Sequence, residues 1–79
     1  MTGHDAFDEL VRDGFMQVNE AGWACIVKAP KSTRELDRFV RLVKTLGSWS
    51  TNHDRRGLIE VTRTGDPDRL AFRKKAEKD

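Results

Sequence analysis

Residues 32–47, STRELDRFVRLVKTLG, constrain the shape of this chain more than any other stretch. Ser32 and Glu35 have capping-box spacing: the Ser32 hydroxyl can accept the Glu35 amide, and the Glu35 carboxylate can reach back to Ser32. Leu36, Phe39, Val40, Val43 and Leu46 then recur at helical spacing, and Gly47 offers a stop. The spacing predicts one amphipathic helix over 33–46 with those five side chains in the core. Arg34, Arg38 and Arg41 fall almost opposite, with Lys44 at their flank. The apolar stripe has to lie on something, and the flanking segments read mostly as sheet.

Before this helix, Phe7, Leu10 and Val11 share one helical face, so 5–13 reads as a short helix that Gly14 stops. Runs 15–19 and 23–29 are rich in β-formers, with Glu20-Ala21-Gly22 between them, the pattern of a β-hairpin. Trp23, Cys25 and Val27 share one face of the second strand. That face is expected to be the buried one, because the opposite face ends in Lys28. Pro30 closes the strand.

After the helix, 48–51 is a candidate strand carrying Trp49, 52–57 a polar loop, and 58–64 a strand. Gly65-Asp66-Pro67-Asp68 is turn punctuation with two readings. Asp66 can cap a helix that Pro67 begins and Lys78 ends, or the turn can close a hairpin onto 69–74, where Leu70 and Phe72 fall on one side of a strand. The helix is the favoured reading. The expected fold is a small two-layer α+β domain in the order α-β-β-α-β-β-(α or β): an antiparallel sheet of hairpins with the main helix packed on it.

Seventy-nine residues make one domain,. Its termini, 1–4 and 76–79, are expected to fray. A chain this short buries only roughly 60–65% of the surface its unfolded form exposes. With 37% hydrophobic and 35% charged residues, it has little apolar material to spare for anything but the core. The single cysteine cannot form an internal disulfide,. Stability must come from packing or from a partner, so a homodimer is a live expectation. No cationic, apolar leader opens the chain, and nowhere do eighteen apolar residues run together. A cytoplasmic protein with no membrane partner is expected.

Catalysis finds little to stand on. Cys25, His53 and Asp54 are the only set from which a nucleophile, base and acid could be drawn. Cys25 reads as a mid-strand, buried and inert thiol, and the adjacent His53 and Asp54 would point to opposite faces of a strand. His4 and His53 lack metal-ligand spacing, and the glycines form no phosphate-binding loop. The chain is read as a non-enzyme without metal or cofactor.

The basic residues point elsewhere. Arg34, Arg38, Arg41 and Lys44 line the outward stripe of the helix; Arg55 and Arg56 sit together in the loop; Arg69, Arg73, Lys74, Lys75 and Lys78 follow. Arginine's planar fork of donors suits phosphate, and Trp49, if exposed, could stack on a base. The expected function is a small nucleic-acid-binding accessory or regulatory protein contacting phosphates through Arg34, Arg38, Arg41, Lys44, Arg55, Arg56, Arg73 and Lys74, with Trp49 beside them. The alternative is a protein–protein module, an inhibitor or adaptor of the kind mobile elements carry, presenting the same residues to an acidic protein surface.

RRGLIEVTRTGDPDRLAFRKK, residues 55–75, resembles the wing hairpin of MarR-type winged-helix regulators: a GLIE strand, an Asp-rich tip and a return strand. The resemblance implies a hairpin able to touch a DNA backbone. It covers about a quarter of the chain. Elsewhere the chain departs from that family, since residues 47–50 read as a strand where a recognition helix would run into the wing, and no helix-turn-helix precedes it. Membership of the family is therefore not inferred.

Overall fold

A computed structural model describes residues 2–50, 59–64 and 69–75. Two helices, α1 (Gly3–Arg12) and α2 (Thr33–Ser48), and four strands, β1 (Met16–Val18), β2 (Ala24–Ile26), β3 (Ile59–Thr64) and β4 (Arg69–Lys74), follow one another as α-β-β-α-β-β. The strands form one antiparallel sheet in the order β1-β2-β4-β3.

The first helix starts earlier than its apolar spacing indicates. Thr2 is its N-cap. The Asp5 amide donates to the Thr2 hydroxyl (3.1 Å) and the Thr2 amide donates to the Asp5 carboxylate (3.0 Å), a complete capping box,. Hydrogen bonds from the Thr2 backbone, and then from its side chain, hold the Asp5 carboxyl below its ordinary range. Residues 2–4, read from sequence as a loose end, thus build the cap and first turn. At the other end Gly14 takes φ +85°. The Phe15 amide reaches the Leu10 carbonyl (3.0 Å) and the Gly14 amide the Val11 carbonyl (3.1 Å), the Schellman closure that a left-handed glycine permits,.

The β1–β2 turn has the expected glycine-containing form. Asn19 accepts the Ala21 and Trp23 amides on its side chain (2.9 and 3.0 Å), and Gly22 takes φ +88°,. The face assignment is reversed, however. Ala24 is buried and Ile26 packs against the core, whereas Trp23 and Cys25 are half-buried on the other face and Val27 is exposed. The lysine that suggested a wet face lies past the strand. Lys28 stretches along the Phe15 ring (4.9 Å from its centroid) and donates to the Asp13 carbonyl (3.3 Å), so a core-facing row can end in a charge,.

The main helix begins at Ser32, whose hydroxyl accepts the Glu35 amide (3.1 Å), but the Glu35 carboxylate accepts the Lys31 amide (2.8 Å) rather than that of Ser32. Its core stripe is rotated from the expected one. Leu42 and Leu46 are fully buried, Phe39 and Val43 pack beside them, and Leu36 (48%) and Val40 (39%) are exposed. Phe39 meets Phe15 edge-on at 5.1 Å. Six apolar residues span too broad an arc of the helix for one contact, and the position of α1 decides which half is covered.

Gly47 does not end α2: its φ is not positive, and the helix runs on to Ser48 with Trp49 as C-cap. The strand expected at 48–51 is reduced to one parallel bridge between Ser50 and Ile59. Residues 69–74 form a strand and not the favoured helix. Phe72 pairs with Ala24 on one side and Val61 on the other. As β4 lies between β2 and β3, it is the strand that joins the two hairpins into one sheet. Where 66–68, 76–79 and the 52–57 loop lie is outside the described residues.

The core is made by Ala6, Phe7 and Leu10 of α1, Leu42 and Leu46 of α2, and Phe15, Met16, Ala24, Ile59 and Phe72 from the sheet side. Both helices therefore cover one face of the sheet, and no described helix covers the other. Gly3 is the tightest point: a Cβ there would stand 2.5 Å from the Trp49 Cβ and 2.9 Å from the Ile59 side chain.

Three substitutions test this packing. Gly3→Ala should destabilise the domain by about 1–3 kcal/mol through overpacking, although alanine is the better helix former by about 1 kcal/mol. Leu42→Ala should cost about 2–5 kcal/mol and Leu36→Ala less than about 1 kcal/mol, measured by denaturant titration. The reverse order for the two leucines would restore the stripe read from sequence.

Candidate functional site

The outward side of α2 carries the largest group of the expected contact residues. Thr33, Arg34, Asp37, Arg38 and Arg41 border a shallow hollow there. Arg34 and Arg41 are exposed and make no ion pair among the described residues. Lys44 lies further round the helix, exposed and also unpaired among the described residues.

Arg38 differs from its neighbours. Its Nε donates to the Asp13 carboxylate at 2.7 Å, and its terminal nitrogen lies 3.6 Å from Glu9. The hydrogen bond to Asp13 and the charge of that carboxylate raise the guanidinium's pKa further. Asp13 is the C-cap of α1, so Arg38 clamps α2 to the negative end of α1's dipole,. Glu9 Oε2 is buried without a hydrogen-bond donor and has only this more distant cation. Arg38 thus both borders the hollow and pins α2 to α1.

Trp49, Lys74 and Arg73 do not join this surface. Trp49 is packed against the core at the close approach to Gly3, and its carbonyl accepts the Ile59 amide at 3.0 Å. It wedges α1, α2 and β3 together. Lys74 is on the helix-covered face, over the Phe7 ring (5.6 Å) and paired with Asp8 at 2.8 Å. Arg55 and Arg56 lie outside the described residues.

Arg73 is on the open face of the sheet, the opposite layer from α2. Its guanidinium stacks on Trp23 (4.4 Å from the ring centroid), and its Nε donates to Glu60 at 2.6 Å. Trp23, Arg73 and Glu60 form a ladder across β2, β4 and β3. Beside it Asn19, Cys25, Thr62 and Ala71 line a second shallow depression. Cys25 is half-buried on this open face and not sealed in the core. Among the described residues, no three His, Cys, Asp or Glu side chains gather as metal ligands would, and no helix is long and apolar enough to cross a membrane. His53 and Asp54 lie outside the described residues.

Sequence reading missed Asp13 and Glu9, which orient Arg38. Nothing local signals them, since the partners are 25 and 29 residues away from it. The stacking of Trp23 on Arg73 has no local signal either, since it depends on the β2–β4 pairing.

No protein-family model, curated protein or solved structure matches this chain.

The ladder has a pH signature. The hydrogen bond from Arg73 holds the Glu60 carboxyl below its ordinary value of 4.5. A carboxylate depressed in the folded state contributes stability that is complete above its unfolded pKa and is lost as pH falls through the folded one. The parent should therefore be slightly more stable than Glu60→Gln at neutral pH. The gap in melting temperature should close as the pH is lowered below 4.5. The effect should be small because the pair is partly solvated.

Proposed function

We propose that this is a small non-catalytic nucleic-acid-binding protein whose phosphate contacts come from α2. The observation that carries the reading is the hollow bordered by Arg34, Arg38 and Arg41, in which two of the three guanidinium groups have no acidic partner among the described residues. Guanidinium forks donate paired hydrogen bonds to phosphate oxygens, and groups not already neutralised give the larger electrostatic return. Arg38, held by Asp13, borders the hollow without first having to be ordered. Asp37 at the lip opposes an anion and keeps the contact modest. A backbone contact of this kind is independent of base sequence. The Arg55-Arg56 pair would add to it if the loop reaches the same side. A cytoplasmic setting, where a lone thiol stays reduced, fits this reading.

One observation favours a protein partner instead: Leu36 and Val40 are exposed on the same helix, next to the basic residues. Apolar side chains beside arginines suit an acidic protein surface with an apolar centre.

Titration against a generic DNA duplex and a single-stranded RNA at two salt concentrations separates the two. For a phosphate contact, affinity falls with salt by about 0.9 log units per log unit for each duplex phosphate neutralised. The Arg34→Ala/Arg41→Ala variant should flatten that slope by about 1.8 and weaken all sequences alike, with its melting temperature unchanged. A parent that binds neither nucleic acid at low salt would overturn the proposal in favour of the protein partner.

A further inference from the structure

We infer that α2 pairs with α2 of a second copy of this chain, antiparallel, through the apolar side that the fold leaves uncovered. This goes beyond the nucleic-acid reading and uses a different stripe of the helix.

Leu36, Val40, Val43 and Gly47 recur at i, i+4, i+7 and i+11, the spacing of one seam along a helix,. Leu36 and Val40 are exposed, and Val43 is only partly covered. At Gly47 no described residue outside its own stretch of helix comes within 4 Å of where a Cβ would stand. The seam lies beside the core stripe of Leu42 and Leu46 and away from the arginine hollow. It spans about 16 Å at the helical rise per residue.

Its shape and charge are complementary to itself in one orientation. With two copies antiparallel about a two-fold axis between residues 41 and 42, Leu36 of each stands over Gly47 of the other, large against absent side chain. Val40 of each meets Val43 of the other. Such an axis also brings like flanks together. Asp37 and Lys44 lie on the same flank, so Asp37 of each copy comes level, within about two residues of helical rise, with Lys44 of the other. Two opposite-charge pairs result. In a parallel pair that flank would instead face the Phe39 side, which supplies no countercharge, and Leu36 would meet Leu36. The antiparallel arrangement is therefore the one the residues select.

The pairing has a consequence for the hollow. The arginines point away from the seam, so both rows stay open in the dimer. Asp37, the acid at the lip of the hollow, gains a cation from the second copy.

Sedimentation equilibrium of the full chain tests this. The parent should dimerise reversibly. Val40→Glu, at an exposed position, should keep its melting temperature at low concentration and raise the dimer dissociation constant by about tenfold or more, because each introduced carboxylate would be set against Val43 of the other copy in an apolar seam. Asp37→Lys and Lys44→Asp should each weaken the dimer, and the double exchange should restore it. In a Cys25→Ser background, Leu36→Cys with Gly47→Cys should cross-link two copies, whereas Leu36→Cys alone should not. A parent that remains monomeric at about 1 mM, where even a millimolar association populates a dimer, overturns the inference. So does a dimer indifferent to Val40→Glu, and a Leu36→Cys variant that cross-links by itself overturns the orientation. None of these outcomes depends on nucleic acid, whose titration is read separately.

Discussion

The fold hangs on a close approach at Gly3. There the first turn of α1 meets the Trp49 cap of α2 and the first residue of β3, with no room for a Cβ. Three elements far apart in sequence are fixed at that point. Seating α1 against Trp49 places Ala6, Phe7 and Leu10 beside Leu42 and Leu46, and it sets the rotation of α2 about its own axis. The Arg38 bridge to Asp13 and Glu9 pins the other end of the same helix pair. A wedge at one end and an ion pair at the other make the two helices one layer, which a core of this size needs if it is to cover a four-stranded sheet.

The rotation of α2 gives the helix three separate sides. One is sunk in the core. One carries Arg34, Arg38 and Arg41 outward. The third, through Leu36, Val40 and Gly47, remains apolar and uncovered. A 79-residue chain with 37% hydrophobic residues leaves apolar side chains exposed only at a cost in solubility,. Assigning the second side to phosphate and the third to another copy of the chain accounts for both with one helix. The open face of the sheet is handled differently: its one large aromatic, Trp23, is covered by Arg73, which Glu60 in turn neutralises. There the aromatic is satisfied within the sheet itself, while α2 carries exposed arginines and exposed apolar side chains on adjoining sides.

How much of the candidate site could be read in the sequence follows from the same geometry. Arg34, Arg38 and Arg41 were visible because helical spacing puts them on one side whatever the helix packs against. That Arg38 is engaged while the other two make no ion pair among the described residues was not visible, since its partners come from α1. Arg73 and Lys74 are neighbours in sequence and looked like one basic group. A strand sends them to opposite faces, one onto Trp23 and the other onto Asp8 and Phe7. Trp49 offered both a core and a platform reading, and its packing against the core through Gly3, 46 positions away, could not be read from local spacing.

For the fold, local chemistry was decisive wherever it sufficed alone. The Ser32 cap, the left-handed Gly14 and Gly22, the Asn19 turn and the alternation of helical and extended spacing required nothing beyond a few neighbouring residues, and they determined the α-β-β-α-β order and the α+β class. Tertiary structure decided what local chemistry left degenerate. Gly47 can end a helix or sit inside one. Residues 69–74 can be helix or strand, and only pairing with β2 and β3 makes the strand the lower state. Ala24 and Ile26 face the core rather than Trp23 and Cys25 because a strand's two faces are equivalent until a helix covers one. The half of α2 that is buried is set likewise by where α1 comes to rest. Periodicity fixes which residues share a side; only a packed neighbour fixes which side is inside.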